Sequence, residues 1–177
     1  MVAAADPREA VVWAALEEIP DPEIPVVSVV ELGVIGGFAF EPAETGGERL
    51  RVDLLPTFVG CPAIDLMREQ VGERLRDLQL ADEVEVRLSF AVPWTSDRIS
   101  AEGREKLRAN GFAPPTPRPV GAPSVPEGNL LSMVSIVTCP YCGSRNTTLE
   151  NPFGPTLCRA IYHCANCRQP FEQFKAV

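Results

Sequence analysis

From Pro62 onward the apolar residues Ile64, Met67, Val71, Leu75 and Leu78 recur at spacings of three and four, the period of a helix with one buried face. An amphipathic helix ending near Leu78 is predicted. A period of two governs other stretches. Residues 48–55 alternate Leu50, Val52 and Leu54 with Arg51 and Asp53, and residues 83–90 alternate Val84, Val86, Leu88 and Phe90 with Glu85, Arg87 and Ser89. Both predict half-buried strands, the second with Phe90 facing inward. Residues 33–40 predict a further strand, paired with 48–55 as a hairpin around the turn E-P-A-E-T-G-G. Asp6-Pro7-Arg8-Glu9 offers a cap acceptor, a proline at the first helical position and a carboxylate three residues after the cap, so a helix should run to about Glu18. A last helix is predicted from a Ser100 cap to Asn110, stopped by Gly111.

The order helix, strand, strand, helix, strand, helix describes an α+β fold, a small sandwich of helices against a mixed sheet. Residues 114–126 then hold six prolines in thirteen positions, which removes backbone donors and forbids a helix or a central strand. The expected organisation is therefore a domain over 1–113, a proline-rich linker over 114–133 and a small module over 134–177.

Composition narrows the classes of function. The chain has 177 residues, 45% of them hydrophobic and 23% charged, which suits a packed core. No apolar run approaches the ~18 residues of a membrane span, so no membrane partner is expected. The net charge is −8, with 21 acids against 11 bases in residues 1–113 and 3 against 5 in the remainder. Such a front half repels a phosphate backbone, and no nucleic-acid partner is expected. Met1 to Ala5 lack the pattern of a secretory leader, which points to the cytoplasm, where thiols stay reduced.

Five of the six cysteines follow residue 138. Cys139-Pro-Tyr-Cys142-Gly143 and Cys164-Ala-Asn-Cys167 are two C-x-x-C knuckles separated by 21 residues, the spacing of a four-sulfur tetrahedral cage. About forty residues with few large apolar side chains cannot fold on burial alone, so a bound metal should supply the missing stability. A zinc ribbon is expected. Iron is the rival, because a C-P-x-C-G knuckle also suits one iron in four thiolates. Cys158 and His163 lie between the knuckles; Cys158 is either a small buried apolar residue or a spare ligand for an iron-sulfur cluster.

Cys61 stands apart, between Pro56-Thr57-Phe58-Val59-Gly60 and Pro62. With Pro62 at the first helical position, Cys61 falls at the N-cap, where free amides and the helix dipole lower a thiol pKa. It is a reactive thiol or a half-buried structural cysteine. Asp21 and Glu23 sit on a loop with three prolines in residues 20–25 and can face this helix end. The sequence lacks G-x-G-x-x-G, a Walker loop and H-E-x-x-H, and its single histidine allows no Ser-His-Asp or Cys-His pairing in 1–113. No independent catalytic activity is expected.

Asp21-Pro22-Glu23-Ile24-Pro25, Leu32-Gly33-Val34 and Thr57-Phe58-Val59-Gly60-Cys61-Pro62 together resemble the SufT-like domain of iron-sulfur cluster assembly factors. The resemblance implies that Cys61 is the functional thiol, with Asp21, Glu23 and Thr57 as neighbours. Pro93-Trp94-Thr95-Ser96-Asp97, the two knuckles, Phe153-Gly154, Thr156, Cys158, Ala160, Tyr162, Pro170-Phe171 and Phe174-Lys175 look like the D-subunit family of bacterial phenylacetyl-CoA epoxidase systems. The sequence departs from that family at Pro155 and at Ala176, where some members carry a further cysteine.

What this second resemblance implies is a role in aerobic phenylacetate catabolism beside a di-iron oxygenase and an iron-sulfur flavin reductase. Two functions follow. One is a maturation subunit that helps deliver iron or an iron-sulfur cluster to those partners through Cys61 and Cys158. The other is a structural or electron-relay component that docks on the oxygenase through a metal-bound ribbon. Zinc cannot relay electrons and iron can, so the metal in the ribbon separates the two. Homodimerisation is compatible with either.

Overall fold

A computed structural model describes residues 6–44, 46–57, 61–115 and 137–175. The chain divides into two compact units, one comprising the residues up to Trp94 with Arg98–Gly103, the other Thr95–Asp97 with the residues from Arg104 on. The expected proline-rich linker at 114–133 lies outside the described residues except for Pro114 and Pro115.

The first unit is built from helix α1 (Pro7–Glu17), strands β1 (Ile35–Pro42) and β2 (Glu48–Leu54), helix α2 (Ile64–Asp77) and strand β3 (Glu83–Leu88). α1 starts as its cap demands, with the Asp6 carboxylate accepting the Arg8 amide at 2.9 Å. β1 and β2 form the expected antiparallel hairpin, Phe38 opposite Val52 and Phe40 opposite Leu50. β3 lies parallel to β2 on its other side, from Arg49 opposite Glu83 to Leu54 opposite Leu88. The sheet is thus mixed, in the order β1-β2-β3.

Alternation sorts the two faces. Leu50, Val52 and Leu54 are 0% exposed, and Val12 and Leu16 of α1 with Val71 and Leu75 of α2 complete the same core. The other face carries Arg49, Arg51 and Arg87 interleaved with Glu41, Asp53 and Glu85, joined by ion pairs such as Arg49–Glu41 at 2.7 Å and Arg87–Asp53 at 2.5 Å. Phe90 departs from the expected alternation. The strand ends at Leu88, and Phe90 is 69% exposed in the loop beyond it.

The segment between α1 and β1 is irregular but tightly tied. Asp21 receives the amides of Glu23 and Ile24 on one carboxylate oxygen, and its own amide donates to the Val27 carbonyl at 2.8 Å. Ser28 and Glu31 cap each other reciprocally, amide to side chain in both directions. The Trp94 indole donates to the Leu32 carbonyl at 3.0 Å, and Arg98 donates to the carbonyls of Gly33 and Ile35. Gly33 has φ +71°, and a Cβ there would stand 2.5 Å from the Arg98 carbonyl oxygen.

Helix α3 (Ala101–Ala109) follows a 3-10 turn at Ser96–Arg98 and begins, as expected, with the Ser100 hydroxyl accepting the Gly103 amide. The second unit holds a four-stranded sheet of β4 (Phe112–Ala113), β5 (Thr147–Asn151), β6 (Arg159–Cys164) and β7 (Pro170–Phe174), in the order β4-β7-β6-β5. β5, β6 and β7 are the ribbon. β4, two residues too short to leave a periodic signal, joins it by parallel pairing with β7. Tyr162 stacks on Phe171 with centroids 5.8 Å apart in a core shared with Ala113, Val137 and Ala160.

The turn at Gly33 gives a direct check on the tie. Gly33→Ala forces an L side chain into a left-handed backbone, a cost of about 1–2 kcal/mol before the Arg98 carbonyl is displaced. Equilibrium urea denaturation should show a lower midpoint at unchanged slope, and an unmoved midpoint would mean the turn bears no strain.

Candidate functional site

Two C-x-x-C turns fold alike. In each, the amide of the residue after the second cysteine donates back to the carbonyl of the first, Gly143 to Cys139 at 3.0 Å and Arg168 to Cys164 at 2.8 Å. Those two residues take left-handed backbones, φ +72° and +60°. A glycine accepts that conformation freely; Arg168 adopts it against its side chain. The sequence of the second knuckle gives no such glycine signal.

The turns face each other and bring Cys139, Cys142, Cys164 and Cys167 together, with one sulfur from each all within 4.8 Å. Cys139 Sγ is 3.7 Å from Cys167 Sγ and Cys142 Sγ is 3.6 Å from Cys164 Sγ. A tetrahedron with zinc–sulfur arms of about 2.3 Å has edges of about 3.8 Å, close to both of these separations, so the donor set suits a four-thiolate metal. Their protons show the need for a cation. The Ser144 amide and then the Asn166 side chain favour the Cys142 thiolate, bringing its pKa down to about 6. The Gln169 amide favours Cys167 likewise, but burial and the other three sulfurs push it up to about 12. Four adjacent thiols cannot all ionise unless a metal takes their charge.

Cys158 is outside this cage. It is buried, with the Thr156 hydroxyl 3.0 Å from its sulfur, and its carbonyl accepts the Lys175 amide. Cys158 is not among the four cysteines whose sulfurs lie within 4.8 Å of one another. His163 lies on β6, half-buried.

Cys61 is half-buried ahead of α2. The expected cap is displaced by two residues. Pro62 and Ala63 form a turn, Ala63 is the N-cap and the helix begins at Ile64, with the Ile64 amide donating to the Cys61 carbonyl at 3.3 Å. The amides of Ala63 and Ile64 still favour the thiolate, but the thiol pKa is raised, not lowered as the helix terminus alone implies. Burial is the largest cause, and the carboxylates of Glu23 and Asp21 add to it. Glu23 and Asp21 of the proline loop act on Cys61 through space, an effect that the local sequence around the thiol could not reveal. Thr57 is half-buried at the bend after β2. Among the described residues only the ribbon cysteines offer three or more ligand atoms within 4.8 Å of one another. Cys61, Asp21 and Glu23 are electrostatic neighbours without being a closed cage.

Comparison with known proteins covers both units. The family described as PaaD zinc beta ribbon domain matches residues 124–175, and the family described as iron-sulfur cluster assembly protein matches residues 9–88. Over 173 residues the chain is 35% identical to the D subunit of the "Putative 1,2-phenylacetyl-CoA epoxidase" of Escherichia coli (strain K12), covering 98% of this chain and 96% of that protein. It is 32% identical over 89 residues to the Fe-S protein maturation auxiliary factor YitW of Bacillus subtilis (strain 168), covering 50% of this chain and 82% of that protein. Among solved structures, a domain of unknown function, DUF59, from Bacillus anthracis is 26% identical, covers 56% of this chain and 90% of its own, and superposes with a TM-score of 0.47.

The two sites should respond differently in solution. Chelation should release one metal equivalent per chain, measured by mass spectrometry, and open residues 137–175 to protease while the β1-β2-β3 unit stays resistant. A ribbon that resists protease after complete metal removal would show that the Tyr162–Phe171 core suffices. With its raised pKa, Cys61 should react with iodoacetamide at pH 8 more slowly than an unburied cysteine, and faster as pH rises further. Removing one opposing charge with Glu23→Gln should speed the reaction at pH 8, as read by peptide mass mapping.

Proposed function

The chain belongs to the PaaD family, an iron-sulfur cluster assembly domain followed by the PaaD zinc ribbon, and on that footing we propose that it serves a multicomponent phenylacetyl-CoA epoxidase as a maturation subunit. In this role it helps deliver iron, alone or within a cluster, to the di-iron oxygenase and the iron-sulfur reductase, and it is not itself the oxygenase. The observation that carries the proposal is the setting of Cys61: a half-buried thiol whose ionisation Glu23 and Asp21 oppose, at the head of a helix whose amides favour it.

This arrangement is that of a hand-off point. With no cation present, burial and the two carboxylates keep the proton on Cys61 Sγ. An arriving iron reverses the sign of the local field, so the same carboxylates then favour the cation, and the thiol gives up its proton as the metal takes its place. Asp21 is anchored by two backbone amides and Glu23 rides on the same loop, so the acidic partners are positioned before the cargo arrives. An open site with few converged ligands holds its cargo weakly enough to release it.

The ribbon takes the other role. Cys139, Cys142, Cys164 and Cys167 would hold a resident metal, zinc by the chemistry of the donor set, which supplies folding stability to the module. The same four thiolates accept a single iron, and iron there would favour the electron-relay function instead.

Cys61→Ser removes the thiolate and keeps the volume, so the fold and the ribbon metal should be unchanged. Growth on phenylacetate should be lost in a strain that depends on this copy, and the co-expressed oxygenase should be recovered short of iron. Full growth with a fully metallated oxygenase would reduce Cys61 to a packing residue and transfer the function to the ribbon.

A further inference from the structure

The apolar face of the sheet is unequally covered. Leu50, Val52 and Leu54 of β2 pair in register with Val84, Val86 and Leu88 of β3. The first three are 0% exposed, yet their three neighbours are only half-buried. β3 is also the outer strand of its sheet, paired with β2 alone among the described residues, so the backbone groups along its far edge have no strand beside them. Helix α2 meets β3 at its buried Gly72, where an added Cβ would come into ordinary contact with Val86 at 3.7 Å, and the Arg76 guanidinium closes over the same spot.

Beside this contact runs a groove of about 560 Å³ between α2 and β3, floored by Val84 and Val86, with Leu66, the Asp65–Arg68 ion pair and Glu69 toward the head of the helix and Arg76 toward its end. A second hollow of about 800 Å³ continues past Arg76 and Val84 to Gln79 and Glu83. Arg76 reaches back over Gly72. Arg8, Arg49, Arg51, Arg68, Arg74 and Arg87 of the same unit all bridge carboxylates. Arg76 has no ion pair among the described residues.

We propose that this edge accepts an extended segment of a partner protein as a fourth strand, with apolar residues seated on Val84 and Val86 and a carboxylate beside Arg76. Strand addition satisfies the open backbone edge, the alternate side chains of the guest complete the half-covered apolar face, and the carboxylate meets the unpaired cation. On the opposite face Glu85 already pairs with Arg49 at 3.2 Å, so the charge requirement on the guest falls on its inward side. A second copy of this chain is a poorer guest, since it carries a net charge of −8 and brings Glu83 and Glu85 back onto the same edge. The groove opens at Leu66, within the first turn of α2, so a docked segment runs toward the Cys61 end of the helix. The docking is independent of what Cys61 carries.

The test uses the full isotope-labelled chain and two synthetic peptides in which inward valines alternate with outward threonine and lysine, differing only in glutamate or lysine at one inward position. The glutamate peptide should shift the amides of residues 83–88 and protect them from hydrogen exchange, and the lysine peptide should bind roughly tenfold more weakly. Arg76→Glu should invert that preference, which a variant that merely unfolds cannot do. Absence of protection at β3, or protection indifferent to the charge of both peptide and residue 76, would overturn the proposal. So would protection that rises with protein concentration alone, which would make the guest a second copy.

Discussion

Two parallel strands cannot be joined by a tight turn, and the features of the first unit follow from that constraint. β2 and β3 run in the same direction in register, so the chain leaving Leu54 must travel the length of the sheet before Glu83 can pair. It does so as α2. The head of that helix therefore lies at the C-terminal ends of the strands, which is where Cys61 stands, and its apolar face must cover Leu50, Val52 and Leu54. The same crossover makes β3 the last strand and leaves its edge open. Thiol, core and groove are three results of one connection.

The ribbon obeys a different rule. Its four sulfurs are closer together than uncompensated thiolates tolerate, and the shifts at Cys142 and Cys167 in opposite directions show the proton inventory the cage needs without a cation. The apolar core around Tyr162 and Phe171 is small, and a metal held by the four cysteines would share the work of folding with burial. In the first unit burial alone suffices, and charge is spent instead on the open face of the sheet and on the loop that confronts Cys61.

Where the sequence is legible, a local period or a fixed spacing carries the information. Leu50, Val52 and Leu54 mark β2, Met67, Val71 and Leu75 mark the buried side of α2, and the two C-x-x-C pairs mark the cage. Phe90 shows the limit of a period: alternation says which face a residue would take if the strand continued, and cannot say that pairing stops at Leu88. Cys61 shows a second limit. A helix terminus is a local property, but the burial of the sulfur and the approach of Glu23, 38 positions earlier in the chain, are tertiary and reverse the local expectation. β4 is legible only once β7 is there to receive it.

The pairing of β4 with β7 carries a further consequence. Ala113 and Val137 lie in one core, so the chain leaves and re-enters the same packed body across the proline-rich stretch between them. The ribbon's packed body therefore begins before that stretch, at Phe112 and Ala113, and not after it. A fragment cut anywhere between Ala113 and Val137 would separate β4 from the strand it pairs with, so the thiolate cage is carried by a body whose first strand lies on the far side of the prolines.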